Sequence, residues 1–238
     1  MPGPVKTEAI VLRSIRYGEA DRVLHLYTPG RGRVGAIAKG VRRARSRFGG
    51  RLEPFFRVDL VLHEGRGDLL TVTAAETVAA HPRLREDGAC LDAAGRACDA
   101  VARLFESGDP NPAVFHLLGN ELALLDASPE QAGPANQLAF RLKLLLAAGL
   151  VPQLEACAAC GEADHLQGFS GAAGGVVCSA CEASSFPLDQ EAHDFLAGAL
   201  GRPLAEAPAA SPRALRQAER AIAETIEHHA HVRWRPAA

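Results

Sequence analysis

Two Cys-x-x-Cys pairs, Cys157–Cys160 and Cys178–Cys181, stand seventeen residues apart in this chain of 238 residues. No other feature limits the possible folds as tightly. Each knuckle delivers two sulfurs from one tight turn, and two knuckles close a tetrahedron around Zn²⁺ at about 2.3 Å per Zn–S bond. The stretch between them is rich in Gly and Ala and poor in large apolar residues, so it has no core to fold around. A metal would supply the missing ordering free energy. Four thiolates saturate the ion and leave no position for water. The expectation is one structural Zn²⁺ on Cys157, Cys160, Cys178 and Cys181, with Asp164 and His165 left out as ligands. A redox pair belongs beside a βαβ pattern, and a zinc deaminase needs an H-x-E element; neither is found here. Cys90 and Cys98, eight apart on a helical face, read as small buried hydrophobes.

The longest apolar run, Leu144 to Val151, is far too short to span a membrane. The N-terminal stretch lacks a basic region followed by an apolar one, so no secretory signal is expected. A cytoplasmic chain with reduced cysteines follows as the expectation.

Charge is divided along the chain. The formal net charge is −2, but residues 1–85 carry 16 Lys+Arg against 8 Asp+Glu, and the remainder 10 against 20. Such a split points to a polyanion partner for the basic part. Nine basic residues fall within 31–57: Arg31, Arg33, Lys39, Arg42, Arg43, Arg45, Arg47, Arg51 and Arg57, with Glu53 the one acid among them.

Residues 9–16, 22–28, 33–39, 56–63 and 69–73 show β-branched composition and partial or strict alternation, with turn signals at Pro29-Gly30 and Gly65-Arg66-Gly67-Asp68. Five short strands at this size suggest an OB-type barrel. After His81-Pro82 the apolar spacing changes to three and four. Helices are expected over Cys90–Phe105, from an Asn111-Pro112 start through Leu125, over Leu138–Leu146, over Asp189–Leu200 and over Ser211–His229. Residues 201–212 read as a linker or surface loop. The predicted architecture is α+β and multidomain. Residues 1–80 form the five-stranded OB-fold, 81–153 and 188–238 an α-helical domain, and 154–187 an embedded four-cysteine zinc-binding module.

Several motifs fail. Gly30-Arg31-Gly32-Arg33-Val34-Gly35 matches G-x-G-x-x-G, but a strand-like stretch follows where a dinucleotide site needs a helix. The chain has no G-x-x-x-x-G-K-[ST], G-x-S-x-G or H-E-x-x-H motif, so neither a nucleotide cofactor nor catalysis is expected.

Two stretches resemble the RecO family of bacterial recombination mediators. Thr28-Pro29-Gly30-Arg31-Gly32 leads through Ala38-Lys39-Gly40-Val41-Arg42-Arg43 to Ser46-Arg47 and Leu52-Glu53-Pro54-Phe55, similar to that family's hairpin and basic loop. Phe140-Arg141-Leu142-Lys143-Leu144-Leu145 runs through Gly149-Leu150-Val151-Pro152 into Cys157-Ala158-Ala159-Cys160-Gly161, which resembles the helix entering its zinc knuckle. The resemblance implies binding of ssDNA and dsDNA, strand annealing, partnership with RecR and the acidic SSB C-terminal tail, and loading of RecA onto coated strands. The departure is at the C-terminus, where a Lys-Ser element is expected and His231-Val232-Arg233-Trp234-Arg235-Pro236 stands instead.

On this reading Arg31, Arg33, Lys39, Arg42, Arg43, Arg45, Arg47 and Arg51 contact phosphates, giving affinity with little sequence preference. Tyr17, Tyr27, Phe48 and Phe55 are the candidate base-stacking residues, with barrel core as the alternative reading of the alternating Tyr27 and Phe55. Arg141 and Lys143 would rim an apolar groove that takes the SSB tail. Two other classes remain open: an RNA-binding OB-fold and zinc protein of translation or ribosome assembly, and a zinc-dependent nucleic-acid hydrolase, which requires an open metal position.

Overall fold

Alternation in Arg57–His63 puts Val58, Leu60 and Leu62 in the core and leaves Asp59 exposed, the pattern of a half-buried strand. In the computed structural model, which describes residues 3–65 and 67–237, this is the fourth of five barrel strands. They are β1 (Val5–Tyr17), β2 (Asp21–Thr28), β3 (Gly32–Ala38), β4 (Arg57–His63) and β5 (Leu70–Ala79). The barrel closes in the order β1-β2-β3-β5-β4. Only β3 and β5 pair in parallel, through Ala36↔Leu70 and Ile37↔Thr71. The five expected strands are all present, and the closed OB-type barrel is the predicted one. Gly30–Gly35 feeds β3 and opens no helix. Of the expected turn after β4, Arg66 lies outside the described residues.

β1 serves two neighbours. Its first half pairs with β4 (Val5↔Leu62 to Ile10↔Arg57), its second with β2 (Ile10↔Tyr27 to Tyr17↔Asp21). A register shift between Val11 and Arg13 lets the strand bend from one partner to the other, as bulges do.

The change from strands to helices falls just past His81. α1 (Gly88–Leu104) is capped by Asp87, whose carboxylate accepts from the amides of Ala89 and Cys90 at 2.8 and 3.0 Å. α2 (Pro112–Ala127) starts as expected, with Asn111 Oδ1 accepting from the Val114 amide at 3.2 Å. Cys90 and Cys98 are buried on α1, as small hydrophobes. The barrel, α1 and α2 form one compact unit, residues 1–127, so the units divide later than the change of period does.

The second unit, residues 128–238, contains α3 (Pro134–Ala147), a three-stranded sheet, α4 (Gln190–Gly201) and α5 (Pro212–Ala230). Its sheet has the order β7-β6-β8, from β6 (Leu166–Ser170), β7 (Gly175–Cys178) and β8 (Phe186–Pro187). Asp189 and Ser211 cap α4 and α5 through the Ala192 and Ala214 amides. The 201–212 stretch is a packed surface loop: it holds a short 3₁₀ turn, Leu204–Glu206, that buries Leu204.

Candidate nucleic-acid interface and metal centre

The eighteen residues from Lys39 to Phe56 cross from β3 to β4 as a chain of turns. Gly40 supplies the first reversal at φ 69°, a conformation that costs other residues a clash with Cβ, and its amide donates to Asp21 Oδ1 at 2.7 Å. The Arg42 amide donates to the Ala20 carbonyl at 2.9 Å, tying the segment to the β1–β2 turn. At its far end the Phe55 amide donates to Val11 O at 2.8 Å, and the Val11 amide donates to Phe56 O at 2.9 Å, at the β1 bulge. Between these ties Phe48 and Leu52, each 1% exposed, pack into the barrel core with Leu24, Leu26, Leu60 and Leu62. Two apolar side chains therefore hold the segment down, and six of its charged residues face water.

Those residues are the cations. Lys39, Arg42, Arg43, Arg45, Arg47 and Arg51 are all exposed on this segment. Some guanidiniums brace the backbone, with Arg51 donating to Phe48 O at 3.1 Å and Arg42 to Gly18 O at 3.4 Å. Glu53 pairs at 2.8 Å with Arg22, outside the segment, and so neutralises none of the six. The other two expected phosphate contacts are engaged elsewhere. Arg33 donates to the Ala102 carbonyl in the last turn of α1, and Arg31 sits 3.4 Å from Glu64.

The stacking expectation needs correction at two positions. Phe48 is core, as above. Tyr27 is 0% exposed; it lies under Phe105 with ring centroids 6.1 Å apart, and burial pushes its hydroxyl up to about 12. Tyr27 is buried, as the core alternative has it, but outside the barrel: it alternates with the core residue Leu26 and is covered by Phe105. Neither ring offers a face to a base. Tyr17 is 59% exposed at the tip of β1, and Phe55 is partly exposed. Phe55 also holds a positive φ of 71°, rare for a bulky residue, beside the Arg85 guanidinium.

Sequence reading named Tyr17 but missed the rest of the outer face of the β1–β2 hairpin. Beyond the bulge, Arg13, Ile15 and Tyr17 point outward together, with His25 and Val23 opposite Arg13 and Ile15. His25 is held below the ordinary histidine range by partial burial and by the guanidiniums of Arg13 and Arg33. The period-two spacing of Arg13, Ile15 and Tyr17 was the available signal. OB barrels bind oligonucleotides on the face of strands 2 and 3, and His25 and Val23 belong to β2.

In the second unit the four cysteine sulfurs all lie within 4.8 Å of one another. Cys160 Sγ and Cys178 Sγ are 3.7 Å apart, close to the roughly 3.8 Å edge of a tetrahedron with 2.3 Å metal–sulfur bonds. The first knuckle turns at Gly161 (φ 82°), whose amide donates to Cys157 O at 2.8 Å; in the second, the Cys181 amide donates to Cys178 O at 3.0 Å. Donation from the Cys178 amide, and from those of Cys160 and Ala159, holds the Cys157 thiol down at about 6. Crowding by the thiols of Cys160 and Cys178 pushes Cys181 up to about 12. Four sulfurs this close cannot all ionise without a cation among them, so the donor set fits a thiophilic metal ion. Among the described residues, neither Asp164 nor His165 joins the cluster.

Arg141 and Lys143 of α3 do not stand at an open rim. Lys143 Nζ donates to the Leu200 carbonyl near the end of α4 at 3.0 Å, and partial burial lowers its pKa. Arg141 is 5% exposed. It lies 3.4 Å from Glu219 and 5.8 Å from the centre of the Trp234 ring, and it donates to the Arg235 carbonyl. The chain's own C-terminal segment thus covers the place assigned to a partner peptide.

Comparison with known proteins agrees with this layout. Residues 1–81 match the family description Recombination protein O N terminal, and residues 85–236 match Recombination protein O C terminal. The chain is similar to the DNA repair protein RecO of Rubrobacter xylanophilus, 41% identical over 223 residues, covering 91% of this chain and 88% of that protein. RecO of Anaeromyxobacter sp. strain Fw109-5 is 38% identical over 234 residues, covering 94% and 91%. RecO of Bifidobacterium animalis subsp. lactis is 41% identical over 175 residues, covering 73% and 72%.

Proposed function

The chain belongs to the RecO family of DNA repair proteins, and from that premise we propose that it binds ssDNA and dsDNA without reading sequence and anneals complementary strands. The reading includes cooperation with RecR and SSB to load RecA onto coated strands, in the cytoplasm and without catalytic turnover. The observation that carries it is the anchored segment: six exposed cations on a backbone fixed by Phe48 and Leu52. Annealing requires that two polyanions approach one another, and a dense row of guanidiniums lowers that repulsion without a shaped pocket. The outer face of β1 and β2 extends the contact, with Arg13 and His25 for phosphates and Tyr17 for a base. Stacking falls to Tyr17 and Phe55. Arg31 and Arg33 contribute less, because each already has a partner.

Cys157, Cys160, Cys178 and Cys181 would hold one Zn²⁺ as a structural ion. Bound there, it would cross-link the two knuckles and fix the 154–187 module.

The deciding experiment is annealing of complementary oligonucleotides by the wild-type chain and by an Arg42→Ala/Arg43→Ala/Arg45→Ala variant. The variant should fold normally and anneal at least tenfold more slowly. Unchanged annealing would remove the basic segment from the mechanism. Tighter binding to RNA than to ssDNA of equal length would instead favour a role in translation.

A further inference from the structure

α5 ends at Ala230, and the left-handed backbone of the following His231 (φ 54°) turns the chain back over α3 and α5. The returning segment contains Arg233-Trp234-Arg235, with the only tryptophan of the chain. Polar contacts help to hold it. Arg141 donates to Arg235 O and underlies the indole, Glu219 accepts from the Ala237 amide, and Arg233 sits 3.3 Å from Glu227. The Arg233 side chain is 83% exposed.

The fit beneath the segment is loose. A cavity of about 150 Å³ remains between Trp234 and the α5 residues Ile222, Ala223 and Ile226. The indole N–H is buried with no hydrogen-bond acceptor among the described residues. Permanent packing fills such space and satisfies a buried indole N–H. The segment therefore has the character of a docked peptide more than of a built-in element.

We propose that Arg233-Trp234-Arg235 is a second single-strand contact, stored on the α3–α5 face and released to stack a base on Trp234 and set its arginines against phosphates. The inference rests on the reading that the chain binds nucleic acid. An indole flanked by two guanidiniums holds both parts of a sequence-tolerant strand contact, a stacking platform and paired cations. The storage contacts suit release by the same ligand. Glu227 holds Arg233 by charge alone at an exposed position, and a phosphate backbone competes directly for that guanidinium. The contact would place a cationic grip in a part of the chain where acidic residues outnumber basic ones.

The single tryptophan supplies the test. Unlabelled oligothymidine is titrated into the full-length chain while Trp234 emission is followed, and anisotropy of a dye-labelled copy reports total binding. Emission should be quenched in step with anisotropy. The quench should persist, at higher oligonucleotide concentration, in the Arg42→Ala/Arg43→Ala/Arg45→Ala variant. Trp234→Ala should weaken binding roughly tenfold. Arg233→Ala/Arg235→Ala, surface changes that leave the fold intact, should lower the salt slope by about 1. Full anisotropy with unchanged emission and an unchanged slope would overturn the inference and leave the barrel reading standing. Absence of both signals would remove both. An equal quench by an acidic peptide would assign the groove to a protein partner and also overturn the inference.

Discussion

Phe48 and His25 show how single side chains divide the work of the barrel. Phe48 packs with Leu24 and Leu26 and takes the Arg47 guanidinium 4.8 Å from its ring centre. Phe48→Ala should cost about 3–5 kcal/mol of stability by opening a core cavity. It should also loosen the segment it anchors, so that amide exchange across 40–53 rises more than across β4. Uniform exchange would show that the segment is held by its hydrogen bonds instead. His25 is kept neutral near pH 7 by partial burial, Arg13 and Arg33. A phosphate beside it would raise its pKa, so binding would take up a proton. Affinity for ssDNA should then rise as pH falls from about 7 to about 5, and His25→Gln should flatten that rise. A fall in affinity over the same range would place His25 outside the contact.

At the scale of elements, the strands and helices were legible because burial follows period. Val58, Leu60 and Leu62 alternate, and Cys90, Ala94, Cys98 and Val101 recur at helical spacing. The helix starts at Asn111, Asp189 and Ser211 were legible too, and each of these side chains acts on its own local backbone. What local pattern could not supply was cover from distant elements. Tyr27 alternates correctly yet is roofed by Phe105, and Phe48 sits in an apparently polar run yet fills the barrel. Arg141 looked like a rim cation until the returning C-terminal segment covered it. The cysteine knuckles were legible because their spacing is itself the geometry. Chelation should raise amide exchange across 154–187 and release one metal ion per chain, with four thiols becoming reactive together. Barrel amides should stay protected. Release without any change in exchange would show that the β6–β7 hairpin holds the module unaided.

For the whole molecule, the division of charge sets how it meets a polyanion. Basic residues lead 16 to 8 in residues 1–85 and trail 10 to 20 beyond. Binding to single strands should weaken steeply with salt, and Arg42→Ala/Arg43→Ala/Arg45→Ala should reduce the log–log slope by about 2. Anisotropy across a potassium chloride series measures it. An equal slope in variant and parent would mean that those three side chains stay clear of the backbone.

The anchored segment has a consequence for how such a chain can change over generations. Apolar residues secure it, charged residues would do the gripping under the proposed function, and the two tasks fall on different positions. Mutation can therefore swap, add or delete guanidiniums and retune the grip while the barrel keeps its melting temperature. Drift at Phe48 or Leu52 has no such freedom, because it disturbs both tasks at once.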